Sequence, residues 1–428
     1  MKTKSILLSA ILCLSALVLQ AQQYDALDQV RSDIRKSYGM EGPHRFDAPS
    51  PLTKAPAGYK PFYINHYGRH GSRYAWNSKT YLIIRDALEK ARELNVLTPY
   101  GKAFAEKYEA FYLEPWVNSG DLVPLGFEQH QRIGEFVIDA FPAVFKGSRR
   151  VEAIASTAQR CIVSMGAFNL GLKSRNGKLQ IYQGSNHKGM EIVAPPSAPK
   201  SYARHFQGEN DESSMESSES FWNRTVDSQS ILDKLFTESS FLDELKGGKD
   251  TFVSELYSLY CGYHNYEPAP LFDDLLTEDQ RVRMWEADNY GSFRVDLTAR
   301  YSVIPLLEDF IAKADAAFAD PTLAANLRFG HDYILEAFAC LLDIDHCGTI
   351  PQNPDDVKYW FQNYNIPMAA TLLFVYYRNK KGDILFKALL NEKEVTLPQL
   401  EPVKGPYYRW SDFLSWAQGV MAAHPEVL

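Results

Sequence analysis

Three strand-like runs in this sequence are each followed by a short polar turn and then by a pattern typical of a helix. The runs are residues 61–67, 151–155 and 326–329. Strands that alternate with helices favour an α/β fold with a largely parallel sheet. Because the carboxyl ends of parallel strands lie at one edge of the sheet, where ligands bind, we expect the three turns to meet at one site.

The composition is that of a globular protein with an acidic balance of charge. Hydrophobic residues make up 45% of the 428 residues and charged residues 23%, which excludes a disordered or fibrous chain. The net charge of −8 argues against a general nucleic-acid binder. No segment beyond the N-terminus is apolar for long enough to predict a membrane span. The sequence leaves the oligomeric state open.

The first 21 residues have the pattern of a cleavable signal peptide. Lys2 and Lys4 precede an apolar run over residues 6–19, and the small residue Ala21 follows at a plausible cleavage point. The run is too short to span a bilayer comfortably. We therefore expect an exported protein, periplasmic or secreted in the bacterial style.

Four cysteines follow the signal segment, and their spacing matches no zinc-binding pattern. Neither a metal site nor a cofactor is predicted. An oxidising compartment permits disulfides, and Cys340 and Cys347 are close enough in sequence to pair across a helix end. The sequence leaves this pairing open.

A change of pattern between residues 196 and 319 divides the chain. An acidic, serine-rich run at 209–220 is followed by helical patterns with little strand signal, and the last of these patterns is interrupted at Pro305. We read this region as a mostly α-helical cap. It is predicted to be inserted in an α/β core made of residues 22–195 and 320–428, with the site in the cleft between core and cap.

The densest chemical signal follows the first strand, where Arg69, His70 and Arg73 surround Gly71 in one turn. The planar fork of arginine binds phosphate or carboxylate through two hydrogen bonds and stays charged at any working pH. Two neighbouring cations disfavour imidazolium, so His70 is expected as the neutral, nucleophilic imidazole. Together these residues indicate attack on a bound phosphoryl group, although a pentapeptide of this kind is more often an ordinary surface turn.

The other two turns carry groups that fit the same chemistry. Ser156 and Thr157 precede a helix with Arg160 in its first turn, and His331 and Asp332 begin a further helix. Taken alone, each would be a helix cap or a solvated charge. Beside the first turn, however, the arginine can hold an anion and the carboxyl group is a candidate general acid.

These elements, in this order, resemble the motifs of the histidine acid phosphatases, the second branch of the histidine phosphatase superfamily. That family carries RHGxRxP, LTPxGxxQ, STxxQR and HD motifs. The matching segments here are Arg69 to Ala75, with alanine in place of proline, Leu122 to Gln129, Ser156 to Arg160, with one residue instead of two between Ser-Thr and Gln-Arg, and His331-Asp332. The resemblance runs from about residue 60 to about residue 395. It implies an α/β fold class, a three-layer αβα core with an inserted helical cap.

The resemblance also implies a role for each of these residues. His70 is the nucleophile that forms a phosphohistidine, and Asp332 protonates the leaving alkoxide and then activates water. The residues implied to bind the phosphate are Arg69, Arg73, Arg160 and His331. The implied activity is hydrolysis of small-molecule phosphomonoesters without a metal.

Within the family, two features favour the multiple inositol polyphosphate phosphatases, which remove phosphates from phytate. Residues 69–74 read RHGSRY, and the segments 374–378 and 389–393 resemble the closing strands of that subgroup. One feature differs, because the subgroup has His-Ala-Glu where this chain has His331-Asp332. Inositol polyphosphates are therefore the expected substrates, and the positional specificity is left open.

A substrate with several phosphates needs cations beyond the pocket for the reacting phosphate. The candidate substrate-binding residues are Lys79, Lys188, Arg204, His205, Arg283 and Arg294. Each could instead be a solvated surface charge, and the acidic run at 209–220 would repel such a substrate if it lined the pocket. Two alternatives stay open: a broad-specificity acid or sugar-phosphate phosphatase, and an exported carbohydrate-binding protein, which the many tyrosines and tryptophans would suit.

Overall fold

The computed structural model describes residues 26–46, 51–195, 215–351 and 353–425. The predicted signal peptide, Arg204 and His205 lie outside these residues. The described chain contains one mixed sheet of eight strands. In chain order they are β1 Lys60–Arg69, β2 Arg150–Ala155, β3 Gln180–Ser185, β4 Leu323–Gly330, β5 Thr371–Arg378, β6 Ile384–Leu390, β7 Lys393–Val395 and β8 Tyr408–Arg409.

The sheet has a parallel half and an antiparallel half. Its order is β3-β2-β4-β1-β5-β6-β7, with β8 also paired to β6. Strands β1 to β4 are parallel to one another, whereas β5 to β8 pair antiparallel. The sheet is therefore mixed where the sequence pattern favoured a largely parallel one, because β5 pairs antiparallel with β1 and the chain then returns by the β5–β6 hairpin.

Helices cover both faces of the sheet and form the cap. They are α1 Ala26–Ser32, α2 Lys79–Glu93, α3 Pro99–Phe111, α4 Leu113–Val117, α5 Pro124–Ala140, α6 Gln159–Arg175, α7 Met190–Val193, α8 Ser218–Thr225, α9 Ser228–Leu235, α10 Gly248–Gly262, α11 Glu278–Ala299, α12 Ile304–Ala319, α13 Asp332–Leu341, α14 Val357–Trp360 and α15 Trp410–Ala423. Among the described residues, none of these helices is both long and apolar enough to cross a lipid bilayer.

The alternation of side chains along β5 shows how the three layers form. Phe374 and Tyr376 point to a cluster that includes residues of α12, α13 and α15. Leu373 and Val375 point to the opposite cluster, which includes residues of α5 and α6. Successive strand residues face opposite sides of a sheet, so a strand that is apolar throughout is covered on both faces. The expected αβα core is confirmed.

The cap is built from two separate stretches of chain. Ile84 of α2 and Tyr108 of α3 belong to the same apolar cluster as Leu256 of α10 and Tyr290 of α11. Helix α12, in contrast, packs against the sheet. The boundaries 196–319 thus stay a prediction from sequence, and apolar packing groups α2 and α3 with the cap and α12 with the core.

Two smaller expectations concern a helix break and a disulfide. Helix α11 ends before the predicted break, and α12 restarts with Pro305 in its first turn, where the missing N–H has no helical partner to lose. Cys340 and Cys347 are free thiols, with the Cys340 Sγ 3.9 Å from the carbonyl oxygen of Cys347. The disulfide that the sequence left open is not formed in this structure.

Helices α5 and α6 approach each other through glycine. A Cβ at Gly134 would lie 2.3 Å from the carbonyl oxygen of Phe168, and one at Gly171 would lie 2.1 Å from that of Gln131. Both contacts are with backbone, which cannot rotate away as a side chain can. The close approach of these two helices therefore requires glycine at both positions.

We expect Gly171→Ala to lower the free energy of unfolding by about 1–3 kcal/mol, because the added methyl group forces the two helices apart. Gly166→Ala is the matched control on α6, since a Cβ there meets nothing within 4 Å. That change should stabilise the protein by up to about 1 kcal/mol, because alanine is the better helix former. Urea unfolding of both variants measures the difference, and equal effects would contradict the glycine contact.

Candidate active site

The three predicted turns meet at one edge of the sheet. Arg69, the last residue of β1, pairs in register with Gly330, the last residue of β4. Ala155 at the end of β2 pairs with Phe329 of β4. The residues that follow each strand therefore emerge side by side, as the parallel arrangement of these strands predicts.

The imidazole of His70 is buried and held in one orientation. Its Nδ1 lies 3.0 Å from the carbonyl oxygen of Gly71, which can only accept a hydrogen bond, so Nδ1 carries the proton. The lone pair of the neutral ring is then on Nε2. Burial, and then the charges of Arg69 and Arg73, hold the pKa of His70 well below its usual value. The ring is therefore neutral and has a free Nε2 lone pair, which is the state of a nucleophile.

Arg69 is fully buried, with 0% of its side chain exposed. Its Nη1 donates to the carbonyl oxygens of Met40, at 2.5 Å, and Ile366, at 2.8 Å. Its Nη2 donates to the Oδ2 of Asp332 at 2.6 Å. The guanidinium is thus fixed from two sides by backbone and from a third by a carboxylate.

Arg73 and Arg160 complete a group of three arginines. Arg73 is buried and pairs with Glu41 at 3.0 Å, and Arg160 donates to the carbonyl oxygen of Gly120 at 3.3 Å. In the part of the chain that the structure describes, the Nε atoms of all three arginines are buried without a hydrogen-bond partner. Buried donors are almost always satisfied in folded proteins, so this set of unused N–H groups indicates a site for an anion.

His331 lies beside His70, with the two ring centroids 5.7 Å apart. Its Nε2 is hydrogen-bonded to the Ser156 Oγ at 2.9 Å, so the turn after β2 orients the residue that follows β4. Burial, and then the charge of Arg160, lower the pKa of His331 to about 4. It is therefore neutral near pH 7 and can contribute a hydrogen bond without adding charge.

Asp332 begins α13, and its Oδ1 accepts from the backbone N–H of Tyr333 at 2.9 Å. Burial raises the pKa of this carboxyl, but the charges of Arg69 and Arg73 outweigh burial and bring the pKa down to about 2. About a fifth of its side chain, 21%, stays exposed. In the unliganded site, Asp332 is therefore a carboxylate that neutralises part of the arginine charge.

Helix α5 holds the first turn in place. The Oε1 of Gln129 accepts from the backbone N–H of Ser72 at 2.9 Å, and the Nε2 of His130 donates to the carbonyl oxygen of Arg69 at 2.9 Å. A Cβ at Gly71 would lie 2.3 Å from the carbonyl oxygen of Gly126. The segment that resembles LTPxGxxQ thus supports the backbone of the turn.

The outer cations are more scattered. Lys79 is exposed at the start of α2, and Lys188 is exposed just beyond the end of β3, at the edge of the sheet where the site lies. Arg283 is paired with Glu286, and Arg294 donates to the hydroxyl of Ser218 on α8. The structure thus brings together His70, Asp332, Arg69, Arg73, Arg160 and His331. The described contacts do not bring these four outer cations to that group.

Sequence reasoning missed three acidic residues near the site. Glu41 belongs to no motif, and only the folded chain brings it to Arg73. Asp296 of α11 and Glu336 of α13 are both buried and face each other. The one available signal was Glu336, which lies four residues after Asp332 and so on the same face of the helix.

The Asp296–Glu336 pair is a buried pair of like groups. Burial raises the pKa of Asp296 to about 7, and burial together with Asp296 raises the pKa of Glu336 well above its usual value. Two adjacent carboxyl groups in such surroundings are stable only if they share a proton.

Within the described residues, no cluster of three or more histidine, cysteine or acidic side chains is arranged to hold a metal ion.

Because of the Asp296–Glu336 pair, we expect the folded protein to lose stability as the pH rises. When a carboxyl pKa is higher in the folded protein than in the unfolded chain, the protonated group stabilises the fold. This stabilisation is complete below the unfolded-state pKa of about 4 and is lost as the pH rises through the folded-state pKa. The glutamine of the Glu336→Gln variant cannot ionise. The free energy of unfolding of this variant should therefore fall less between pH 4 and pH 7.5 than that of the wild type. We expect a difference of at least about 1.4 kcal/mol, the equivalent of one pKa unit.

Denaturant unfolding at several pH values measures this effect. Glu128→Gln, a change on the exposed face of α5, is the control and should leave the pH profile of the wild type unchanged. Parallel profiles for Glu336→Gln and the wild type would contradict a shared proton.

This chain is similar in structure to several solved proteins. No protein-family profile and no curated protein matches this chain. A solved structure of the multiple inositol polyphosphate phosphatase from Bifidobacterium longum, in complex with inositol hexasulfate, is 20% identical with a TM-score of 0.75, covering 89% of this chain and 97% of that one. The phytase of D. castellii is 14% identical with a TM-score of 0.65, covering 91% and 86%.

The apo form of the Hafnia alvei phytase is 16% identical with a TM-score of 0.58, covering 86% of this chain and 98% of that one. At these identities, the likeness concerns the fold. The chain has the α/β fold with a helical cap that these inositol polyphosphate phosphatases and phytases share.

Proposed function

We propose that this chain is a histidine acid phosphatase that hydrolyses phosphomonoesters through a phosphohistidine and without a metal. One observation supports the proposal above all. A neutral imidazole with a free Nε2 lies among three arginines whose buried Nε donors have no partner. An anionic, tetrahedral phosphate group that is open to attack at its central atom fits such a site.

The three arginines supply the charge that phosphoryl transfer requires. In that reaction the protein mainly positions the groups and stabilises charge on the equatorial oxygens of the transferring phosphoryl group. Guanidinium donors can bind these oxygens in pairs. Arg69 and Arg73 flank the nucleophile in sequence, and Arg160 approaches from α6.

In the first step, the Nε2 of His70 attacks phosphorus and the bond between phosphorus and the ester oxygen breaks. The electron pair of that bond goes to the leaving oxygen, which takes a proton from Asp332. Asp332 is ionised in the free site, so its proton must arrive with the substrate. The second pKa of a phosphomonoester is about 6, and transfer from its monoanion to Asp332 becomes favourable once the phosphate takes over the contacts of Arg69.

In the second step, Asp332 accepts a proton from water, and the resulting hydroxide oxygen forms the new bond to phosphorus. The bond between Nε2 and phosphorus breaks, and its electron pair returns to the imidazole. The Nδ1–H of His70 keeps its hydrogen bond to the carbonyl oxygen of Gly71, which stabilises the positive charge of the phosphorylated ring. Inorganic phosphate is the second product.

Inositol polyphosphates are the proposed substrates. The solved structures with this fold include phytases and an inositol polyphosphate phosphatase complexed with inositol hexasulfate, in which sulfates stand where phosphates would be. Of the four described candidates for contacts with phosphates that do not react, Lys188 and Lys79 are exposed, whereas Arg283 is paired with Glu286 and Arg294 donates to Ser218. We further propose, from the pattern of residues 1–21, that the enzyme is exported.

Phosphate release from phytate, glucose 1-phosphate and p-nitrophenyl phosphate, at mildly acidic pH with EDTA present, tests the proposal. We expect a marked preference for phytate and no turnover by His70→Ala, which lacks the attacking nitrogen. Comparable rates on all three substrates would instead favour a broad-specificity phosphatase. Release from none of them would favour the carbohydrate-binding alternative, and substantial turnover by His70→Ala would contradict the nucleophile.

Asp332→Asn tests the role of the carboxyl group. We expect a loss of about 10²–10⁴-fold in kcat on an alkyl phosphate, since the alkoxide then leaves without a proton. The loss on p-nitrophenyl phosphate should be much smaller, because nitrophenolate is stable without protonation. Steady-state kinetics on both substrates gives the comparison.

Equal losses on the two substrates would contradict general acid catalysis and indicate a role in water activation or in holding Arg69. A burst of p-nitrophenol before steady turnover separates these outcomes. Slow water activation lets the phosphohistidine accumulate after one release, whereas a displaced Arg69 slows the first step too and gives no burst.

A further inference from the structure

A second carboxylate occupies the arginine pocket. Glu41, the last residue of the short helix Ile34–Glu41, places Oε1 3.0 Å from Nη2 of Arg73 and 3.9 Å from Nη2 of Arg69. Its Oε2 lies 3.3 Å from Nη1 of Arg73. The side chain is 33% exposed, whereas both arginines are buried. Glu41 takes no part in the phosphoryl-transfer steps.

The position of Glu41 is built into the fold. The Nδ2 of Asn265 donates to the carbonyl oxygen of Glu41 at 2.7 Å, and the Oδ1 of Asn265 accepts from the hydroxyl of Ser72 at 2.6 Å. Arg69 donates to the neighbouring carbonyl oxygen of Met40. Glu41 is thus tied to the turn that carries the nucleophile both through Asn265 and through Arg69.

The charges explain what such a carboxylate would do. The site holds three arginines, two neutral histidines and the carboxylates Asp332 and Glu41. A phosphate group needs the donors of Arg73 that Glu41 uses, and its own negative charge repels Glu41 at short range. Phosphate therefore has to compete with the carboxylate of Glu41 for Arg73.

We propose that Glu41 weakens the binding of the phosphate group and thereby speeds release of inorganic phosphate. This inference rests on the proposed function. Three arginines around the phosphate group would otherwise hold the product dianion and block the next turnover. A substrate with further phosphates gains contacts outside the pocket, so the competitor reduces product affinity more than it reduces affinity for such a substrate.

The opposite role for Glu41 makes the opposite prediction. If the carboxylate only oriented Arg73 for the substrate, removing its charge would loosen the arginine and weaken the binding of phosphate. The sign of the change in phosphate affinity therefore separates a competitor from a positioning residue.

The test uses Glu41→Gln in the full chain, with inorganic phosphate as the probe. Isothermal titration calorimetry gives its dissociation constant, and competition with p-nitrophenyl phosphate gives its inhibition constant. We expect both constants to fall about tenfold, as loss of about 1.4 kcal/mol of opposing charge interaction implies. Asp33→Asn removes the same charge from the same N-terminal segment, but Asp33 contacts Arg35 and Arg45 instead of the pocket. This control should leave both constants unchanged.

An unchanged or higher dissociation constant for Glu41→Gln overturns the inference, as does an equal fall in Asp33→Asn. If Glu41→Gln does not fold, Glu41→Asp withdraws the carboxylate by one methylene group and should change the constants in the same direction. A wild-type protein that neither binds phosphate nor releases it from any ester overturns the proposed function itself. A wild type that does both, with no tighter binding in the variant, overturns only the role of Glu41.

Discussion

The buried guanidinium of Arg69 is the interaction on which the site depends. It has no contact with solvent, and its hydrogen bonds reach the N-terminal segment at Met40, the loop before β5 at Ile366 and the start of α13 at Asp332. A buried charge is stable only when its donors are paired, so each of these segments must be in place before the guanidinium is satisfied. Formation of the site is therefore coupled to the packing of parts of the chain that lie far apart in sequence.

The same group of arginines influences the protonation states around it. Burial, and then the arginine charges, keep the imidazoles of His70 and His331 neutral. The arginines also keep Asp332 ionised, although burial alone would protonate the carboxyl group. Burial and their mutual proximity raise the pKa values of Asp296 and Glu336. Helix α13 thus carries two acids with opposite behaviour one turn apart, because arginine charges outweigh burial for Asp332, whereas neighbouring acids add to burial for Glu336.

The sequence predicted those parts of the structure that are local. Motifs pointed to these six residues because each lies at the end of a strand or in the turn and helix start that come after it, and parallel strands end at one edge. Glu41 could not be predicted, since a contact between the N-terminal helix and Arg73 depends on tertiary packing and has no local pattern. The extent of the cap could not be predicted from the sequence either. An amphipathic helix such as α2 or α3 has the same pattern whether it covers a sheet or packs against other helices.

The glycine contact between α5 and α6 has a consequence for the turn that carries His70. Helix α5 supports the nucleophile turn through Gln129, and α6 supports the same turn through the hydroxyl of Ser164, which accepts from the backbone N–H of Gly71 at 3.0 Å. Two helices separated by side chains of ordinary size could not both reach this backbone. The spacing of the pair thus supports the nucleophile turn from two helices at once, so a change at Gly134 or Gly171 is expected to disturb the backbone beside His70.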